Sequence, residues 1–283
     1  MTSRVRLLLA SSHPGPTVTV TVLATVLAAA AGRPLPVVVL VALAVLAGQL
    51  SIGLANDWID VDRDRAVGRT DKPVAVGAIS VRAVRTAAIL TAAVSVVLSL
   101  LLGPVSAIAH IVLVAAGWAY DAGLKRTAVS VLPFVVAFGL LPVVAVAAGG
   151  GPLPAVWAIA TGAVFGVAIH CTNVLPDLVD DEATGVRGFP HRLGLRLSGV
   201  VAFGSLVVAA LLVLLGQIGG AEAVRGPGIA LAVAGALAVI ALAAVGIRLV
   251  LTGPPTRLLF RLVIAASLVL VVELGLSGAR LVA

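Results

Sequence analysis

The chain contains only two asparagines, and both begin the same spacing of acidic residues. The spacing is Asn-x3-Asp-x3-Asp, formed once by Asn56, Asp60 and Asp64 and once by Asn173, Asp177 and Asp181. Seven of the nine aspartates lie in or beside these two patterns, whereas long stretches elsewhere carry no acid. Two matched groups of oxygen-bearing side chains indicate that both segments take part in one chemistry.

Oxygen-bearing side chains at this spacing favour a hard cation. Residues four apart share one face of a helix, so each pattern would present a single stripe of oxygen atoms. Like charges at that spacing destabilise a helix, and a bound cation relieves their repulsion. The chain has no cysteine cluster and no histidine pair at metal spacing, so we expect Mg²⁺, with Mn²⁺ as the alternative, rather than zinc. Pro176 lies inside the second pattern and predicts a kink or a restart of that helix.

A diphosphate is the anion that fits such a site. Mg²⁺ is commonly held by one or two carboxylates together with the phosphate oxygens of a substrate, so two facing stripes predict a clamp around a diphosphate. Basic residues near the patterns are expected to bind the same anion, namely Arg63, Arg69, Lys72, Lys125 and Arg126. In the competing interpretation, the acids are solvated loop charges that pair with Arg63, Arg65 and Arg187.

The elements that carry these residues are predicted to be membrane helices. The 283 residues are 61% hydrophobic and 11% charged, with a mean hydropathy of +1.20, so we expect an all-α, multi-pass integral membrane protein. Apolar stretches close to the ~20 residues that a bilayer-crossing helix requires recur along the whole chain. They form nine predicted spans near residues 16–32, 36–55, 82–102, 104–120, 132–149, 153–172, 198–217, 228–247 and 256–279.

The distribution of basic residues predicts how the chain is oriented. When the loops are assigned alternately to two sides, 16 of the 19 lysines and arginines fall on the side of the N-terminus, which is then cytoplasmic. Both patterns lie on that side, in polar loops at about 56–81 and 174–197. We expect residues 1–283 to form one transmembrane domain. The positive-inside effect explains the net charge of +7, so no nucleic-acid partner is expected.

At these residues the chain resembles the UbiA superfamily of intramembrane prenyltransferases. The family's first signature is Asn-Asp-x-x-Asp-x-x-x-Asp, and it is similar to the run Asn56-Asp57-Trp58-Ile59-Asp60-Val61-Asp62-Arg63-Asp64. The second aspartate motif of the family resembles Asp177-x3-Asp181. Gly68-Arg69-Thr70-Asp71-Lys72-Pro73 looks like the basic, proline-containing segment that follows the first motif. Where the family often has Tyr-x3-Lys, Lys125 follows Tyr120 at the fifth position, and His13-Pro14 stands where many members carry Arg-Pro.

The resemblance implies a horseshoe of nine helices around a central cavity, with Mg²⁺-bound prenyl diphosphate under a cytoplasmic cap and lateral access from the lipid bilayer. Two metal ions would neutralise the departing diphosphate, and the allylic cation would be attacked by a small hydrophobic, aromatic acceptor. Tyr120 would join the basic residues at the diphosphate. The proton lost from the acceptor would go to Asp57, to Asp180 or to the diphosphate. The implied metal ligands are Asn56, Asp60, Asp64, Asp177 and Asp181, and both Asn56 and Asn173 would also lie at the diphosphate.

Two other functions compete with prenyl transfer. A terpene cyclase on the same scaffold would quench the cation with an alkene of the same molecule, but only 4% of the residues are aromatic, so faces that stabilise such a cation are scarce. A cation transporter is expected to carry acids near mid-membrane, whereas ten of the twelve acids fall on the predicted cytoplasmic side. Glu273 is expected to extend to the opposite membrane surface, and Gln49 either lines the cavity or bonds a neighbouring helix.

Overall fold

The computed structural model describes residues 3–175, 185–219, 224–253 and 257–283. Within these ranges the chain is all-α, as the sequence predicts, because a backbone in lipid has to satisfy its own hydrogen bonds. Two short 3-10 helices, Leu124–Arg126 and Gly278–Leu281, accompany the α-helices. Eleven α-helices are described: α1 Ser3–Ala10, α2 Pro14–Ala30, α3 Leu35–Ile59, α4 Val61–Ala66, α5 Val81–Leu100, α6 Pro104–Ala122, α7 Leu132–Val146, α8 Val156–Val174, α9 Phe189–Ile218, α10 Pro227–Thr252 and α11 Arg257–Leu276.

Several of these helices are long and apolar enough to cross a membrane. Among the described residues six meet both conditions: α3, α5, α6, α8, α9 and α10. The pair α1 and α2, bent by 74° at residues 11–13, would make a seventh if it forms one span. With 15 residues, α7 is shorter than the ~20 that a crossing requires. A multi-pass membrane protein is therefore confirmed, while nine crossings remain a prediction.

Helices that follow one another in the chain pack against each other, and the last helix packs against α2 to close the order. Each helix from α5 to α11 contacts the next one, α3 contacts α2 and α5, and α11 returns to contact α2. A close approach joins α7 and α8, where a Cβ added at Gly162 would lie 2.2 Å from the carbonyl oxygen of Phe138. Small residues allow membrane helices to approach this closely. The closed order leaves an interior between α2, α3, α6 and α7.

The first acidic pattern spans the junction of α3 and α4. Asp60 interrupts the helix with φ −88° and ψ 1°, but the spacing of four is kept across it. The amide of Asp60 donates to the carbonyl of Asn56 at 2.9 Å, and the amide of Asp64 donates to the carbonyl of Asp60 at 2.8 Å. The three side chains therefore lie on one face, as their spacing predicts.

The bounds of the two predicted loops need correction. Residues 56–59 belong to α3, and residues 61–66 form α4, so the first loop begins later than predicted. The prediction of a loop up to residue 197 is wrong at its end, because α9 begins at Phe189 with Pro190 in its first turn. A break at Gly194, with φ 73°, lies inside α9 and bends it where the sequence turns apolar. Pro176 lies outside the described residues, so its predicted kink stays untested.

Glu273 does not extend to the membrane surface as expected. Its residue is only 6% exposed, and its carboxylate accepts a hydrogen bond of 2.8 Å from Gln217 Nε2. The same amide also donates to the backbone carbonyl of Glu273 at 3.0 Å. The pair joins α9 to α11, so it is a packing contact between helices. The sequence could not show it because the partners lie 56 residues apart.

Candidate active site

The ammonium group of Lys72 collects oxygen atoms from the first acidic pattern. Its Nζ lies 2.9 Å from Asp64 Oδ2, 3.0 Å from Asp57 Oδ1 and 3.2 Å from Asn56 Oδ1. The loop after α4 positions Lys72, because Val74 on that loop is fully buried in an apolar cluster against α3 and α5. Three oxygen atoms from α3 and α4 therefore surround one positive charge.

Lys125 and Arg63 complete the charge balance at Asp60. Lys125 Nζ lies 2.5 and 2.6 Å from the two carboxylate oxygens of Asp60, and the residue is buried. Arg63 Nη2 lies 3.2 Å from Asp60 Oδ2 and 3.6 Å from Asp64 Oδ1. A buried carboxylate is tolerated only when it is paired, and these cations provide the pairing. Asp60 and Asp64 therefore pair with Arg63, as the competing interpretation expects, but they are buried and not solvated.

Ion pairs of the loop after α4 keep Lys72 and Asp71 charged at neutral pH. Burial lowers the pKa of Lys72, but the carboxylates of Asp57 and Asp64 outweigh burial and raise this pKa above its ordinary value. Arg69 donates two hydrogen bonds of 2.8 Å to Asp71, and they lower the pKa of Asp71 to about 2. Lys72 thus remains positive at neutral pH. Arg69 engages Asp71, outside the cluster of buried carboxylates.

These oxygen atoms fit a hard cation. The atoms that surround the Lys72 ammonium come from carboxylates and an amide, which are the donors that Mg²⁺ prefers. In residues 3–175, 185–219, 224–253 and 257–283, no three His, Cys, Asp or Glu side chains are grouped closely enough to hold a metal ion by themselves. Asp177, Asp180 and Asp181 lie outside the described residues. Of the predicted metal ligands, the described part of the chain therefore contains Asn56, Asp60 and Asp64.

The second pattern begins at the end of α8, where the preceding turn contacts Tyr120 and the loop that carries Lys125. Asn173 lies exposed in the last turn of α8. One turn earlier, the His170 ring lies 5.7 Å from the Tyr120 ring, and His170 Nε2 is 2.9 Å from Ser130 Oγ. The same Ser130 oxygen accepts a hydrogen bond of 2.7 Å from the amide of Phe189, at the start of α9. Both flanks of residues 176–184 are thus tied to Ser130, in the loop that carries Lys125, and the first flank also contacts Tyr120.

An apolar cavity of about 540 Å³ lies between α2, α3, α6 and α7. Gln49 and Ile52 line it from α3, Tyr120 from α6, and Phe134 and Phe138 from α7. Gln49 thus lines the cavity, which was one of its two predicted roles. The acidic pattern begins one turn beyond Ile52, so the polar cluster lies at one end of the apolar space. A second and much narrower apolar cavity shares Phe138 and Leu141 with the first and continues between α2, α8 and α11.

The charged cluster and the apolar cavity suit a ligand with an anionic head and an apolar tail. Comparison with known proteins identifies the family to which the chain belongs. A sequence profile of the UbiA prenyltransferase family matches residues 17–265. The chain belongs to this family. The match covers most of the chain, confirms the predicted resemblance and indicates transfer of a prenyl group as the class of reaction.

Individual relatives of this UbiA-family protein support the same fold. A digeranylgeranylglyceryl phosphate synthase of Natronomonas pharaonis is 34% identical over 178 residues, which are 60% of this chain and 63% of the relative. A UbiA homologue from Archaeoglobus fulgidus, solved with GPP and Mg²⁺, has a TM-score of 0.70 at 16% identity, covering 96% and 99% of the two chains. An apo UbiA homologue from Aeropyrum pernix K1 gives 0.68 at 20% identity, covering 92% and 98%. At these identities the solved structures show the fold.

Sequence reasoning assigned no role to two residues of the UbiA-family site. His13 Nε2 lies 3.0 Å from Asp57 Oδ1, and His13 is the single non-glycine residue with positive φ in the described chain, at 52°. Asp121, in the last turn of α6, accepts a hydrogen bond of 2.8 Å from Asn56 Nδ2. The place of His13-Pro14 relative to the family's Arg-Pro was one available signal. Another was Asp121 itself, an acid between Tyr120 and Lys125.

Arg69 pairs with the exposed Asp71, and the other predicted basic residue outside the buried cluster is Arg126. It follows Lys125 directly, but its side chain is exposed, and no ion pair of it is found in the described part of the chain. Lys125 points inward to Asp60, so two neighbouring basic residues have opposite environments. Arg63, Lys72 and Lys125 are therefore the basic residues that line the buried site.

Proposed function

We propose that the protein is a membrane enzyme that transfers an isoprenyl group from a Mg²⁺-bound isoprenyl diphosphate to a hydrophobic acceptor and releases diphosphate. The observation that carries this proposal is the position of the buried charges. A cluster of paired acids and bases lies at one end of an otherwise apolar cavity. A molecule with a diphosphate head and an isoprenoid tail has the same division of charge.

The chain's own residues would divide the work as follows. Arg63, Lys72 and Lys125 would leave part of their carboxylate contacts and donate to diphosphate oxygens. Two bound Mg²⁺ ions would supply neutralisation of the charge that develops on the leaving diphosphate. Asn56, Asp60, Asp64, Asp177 and Asp181 would hold these ions. Tyr120 and Phe134 would line the apolar space next to the departing group and exclude water from it.

The acceptor is proposed to be aromatic, because the rings of Tyr120 and Phe134 pack edge to face on the cavity wall, with their centroids 5.0 Å apart. Flat aromatic acceptors pack well against such rings. The relative from Natronomonas pharaonis is named for digeranylgeranylglyceryl phosphate, so a prenylated glyceryl phosphate is the second acceptor class to test. In either case the proton lost from the acceptor would pass to Asp57, to Asp180 or to the diphosphate.

A terpene cyclase remains the second candidate function, and one observation favours it. Although aromatic residues are scarce in the chain, Tyr120, Phe134 and Phe138 all line the same cavity. Aromatic faces stabilise cations, so the low aromatic content of the whole sequence argues less strongly against cyclisation. Both candidates share the diphosphate site and differ in what attacks the prenyl cation.

The functional test uses the full chain, purified in lipid nanodiscs with geranylgeranyl diphosphate and Mg²⁺. Three reactions run in parallel: with an aromatic phenol, with a prenylated glyceryl phosphate, and without acceptor. We expect diphosphate release and a prenylated product in one of the acceptor reactions. A cyclic hydrocarbon without acceptor would establish the cyclase instead. If no reaction releases diphosphate with this donor or with farnesyl diphosphate, the proposed function is wrong.

We also propose nine membrane crossings around the cavity, with the acidic patterns and the N-terminus on the cytoplasmic side. The proposal rests on the 16 to 3 distribution of basic residues and on the closed order of the helices. The single native cysteine, Cys171, is fully buried, so an Asp62→Cys variant offers one exposed thiol. A membrane-impermeant maleimide should label it in inside-out vesicles only. Labelling of intact cells would contradict this orientation.

A further inference from the structure

Asp121 is a buried carboxyl group that neither the sequence patterns nor the family motifs explain. The residue is 3% exposed and lies in the last turn of α6, between the cavity-lining Tyr120 and the buried Lys125. Its Oδ2 is buried without a hydrogen-bond partner in the described part of the chain. A buried carboxyl group is unfavourable unless its interactions compensate for lost hydration. Its position therefore calls for a function.

The contacts of Asn56 indicate what that function is. The Asn56 side-chain Nδ2 donates to Asp121 Oδ1 at 2.8 Å and lies 3.3 Å from Asp60 Oδ2. Both hydrogen atoms of the amide are thus directed toward carboxylates. Because the amide is planar, its oxygen must face the opposite way, where it lies 3.2 Å from the Lys72 ammonium.

We propose that Asp121 is a positioning residue that holds the Asn56 amide with its oxygen directed toward the cation at the diphosphate site. This inference rests on the proposed function, in which Asn56 is a ligand of Mg²⁺. Without the hydrogen bond to Asp121, only the longer contact with Asp60 opposes rotation of the amide, and a rotated amide presents its NH₂ group, which repels a cation. Residues that orient a metal ligand in this way typically change metal affinity by about 10–100-fold when they are removed.

The role requires a hydrogen-bond acceptor at residue 121, and this requirement separates it from direct metal binding. An asparagine at this position keeps a carbonyl oxygen for Asn56 but loses the carboxylate charge. A leucine has a similar volume and no acceptor. The positioning role therefore predicts opposite outcomes for Asp121→Asn and Asp121→Leu, whereas a direct ligand would be weakened in both, because both variants lose the carboxylate charge.

The experiment measures Mn²⁺ binding to the full chain in nanodiscs, in the presence of inorganic pyrophosphate, by electron paramagnetic resonance. Mn²⁺ serves as the probe because it takes the same oxygen ligands as Mg²⁺. We expect Asp121→Leu to weaken Mn²⁺ binding by about 10–100-fold and Asp121→Asn to bind close to the wild-type affinity. Equal loss in both variants, or no loss in Asp121→Leu, overturns the proposal.

A double-mutant cycle distinguishes positioning from a general effect on folding. In an Asn56→Ala background there is no amide to orient, so adding Asp121→Leu should change Mn²⁺ affinity no further. A further loss of affinity in this background contradicts the positioning role. If the wild-type protein binds no Mn²⁺ with pyrophosphate, the proposed function fails together with this inference. If the wild type binds and Asp121→Leu is unaffected, only the inference fails.

Discussion

At the scale of single residues, burial separates acids that look alike in the sequence. The side chain of Asp60 is 1% exposed and bonded to Lys125, whereas the side chain of Asp62, two positions later, is 93% exposed. Asp62 contacts Arg65 at 3.5 Å on the surface, a pair that contributes little in water. Helical spacing explains the difference, because Asp62 points to the opposite side of α4 from Asp60 and Asp64. Only the acids on the buried face of the pattern therefore belong to the candidate site.

Lys125 provides the first prediction at this scale. Replacing it with methionine keeps the length of the side chain but removes the ammonium that lies on both oxygens of Asp60. We expect kcat/KM for prenyl transfer to fall by about 10²–10³-fold, as when one donor to a developing negative charge is removed. Steady-state kinetics with the matched control Arg65→Met, at an exposed ion pair, should show no comparable change. Equal losses in the two variants would argue against a direct role for Lys125.

At the scale of elements, the close approach of α7 and α8 shapes the cavity. Gly162 lies against the backbone of Phe138, and the Phe138 ring lies between the two apolar cavities. The helix contact thus fixes the residue that divides the interior. Small residues on one helix determine how far a bulky side chain of the next one reaches.

Replacing Gly162 with alanine should loosen this contact. The added Cβ would lie 2.2 Å from the Phe138 carbonyl oxygen, so the helices must move apart, and we expect a destabilisation of about 1–3 kcal/mol. Gly204 in α9 is the matched control, because nothing lies within 4 Å of a Cβ placed there. Gly204→Ala should keep or raise the midpoint of thermal unfolding in nanodiscs. Identical midpoints for both variants would contradict the packing described for α7 and α8.

The donor tail should depend on Phe138. Phe138→Ala removes a ring that lines both cavities and is expected to join them into one longer apolar space. Relative kcat/KM should then shift toward longer isoprenyl diphosphates, measured by competition between farnesyl, geranylgeranyl and longer donors. Phe165→Ala is the control, because Phe165 lines only the second cavity. An unchanged donor preference in Phe138→Ala would show that the second cavity does not receive the tail.

At the scale of the whole molecule, the features that could be predicted from the sequence are those that depend on residues close together in the chain. The stripe of Asn56, Asp60 and Asp64 follows from helical periodicity, and the all-α membrane class follows from apolar runs. The contacts of Asn56 with Asp121 and of Asp57 with His13 span 65 and 44 residues, so only the packing of helices brings them together. The start of α9 was missed because His191, Arg192 and Arg196 interrupt its first turns, before the continuous apolar stretch.

The same packing of helices stabilises the buried charges, because it places each one beside a charge of opposite sign. Lys72, Lys125 and Arg63 neutralise the carboxylates now, and a metal-bound diphosphate would offer both signs of charge at once. Exchange of partners then needs no charge to be left unpaired in the interior, which would be strongly unfavourable. The ion-paired cluster is therefore consistent with a binding site for a complex of a metal cation and an anion.

The measurement that tests the central claim most directly is Mg²⁺-dependent binding of geranylgeranyl diphosphate, by titration calorimetry on the full chain in nanodiscs. Wild type and Asp62→Asn are predicted to bind in Mg²⁺ and to lose binding in excess EDTA. Asp60→Asn, which keeps the shape of the side chain, should bind at least about tenfold more weakly. Binding that persists in EDTA, or equal affinity of Asp60→Asn and Asp62→Asn, would contradict the assignment of this buried cluster as the metal–diphosphate site.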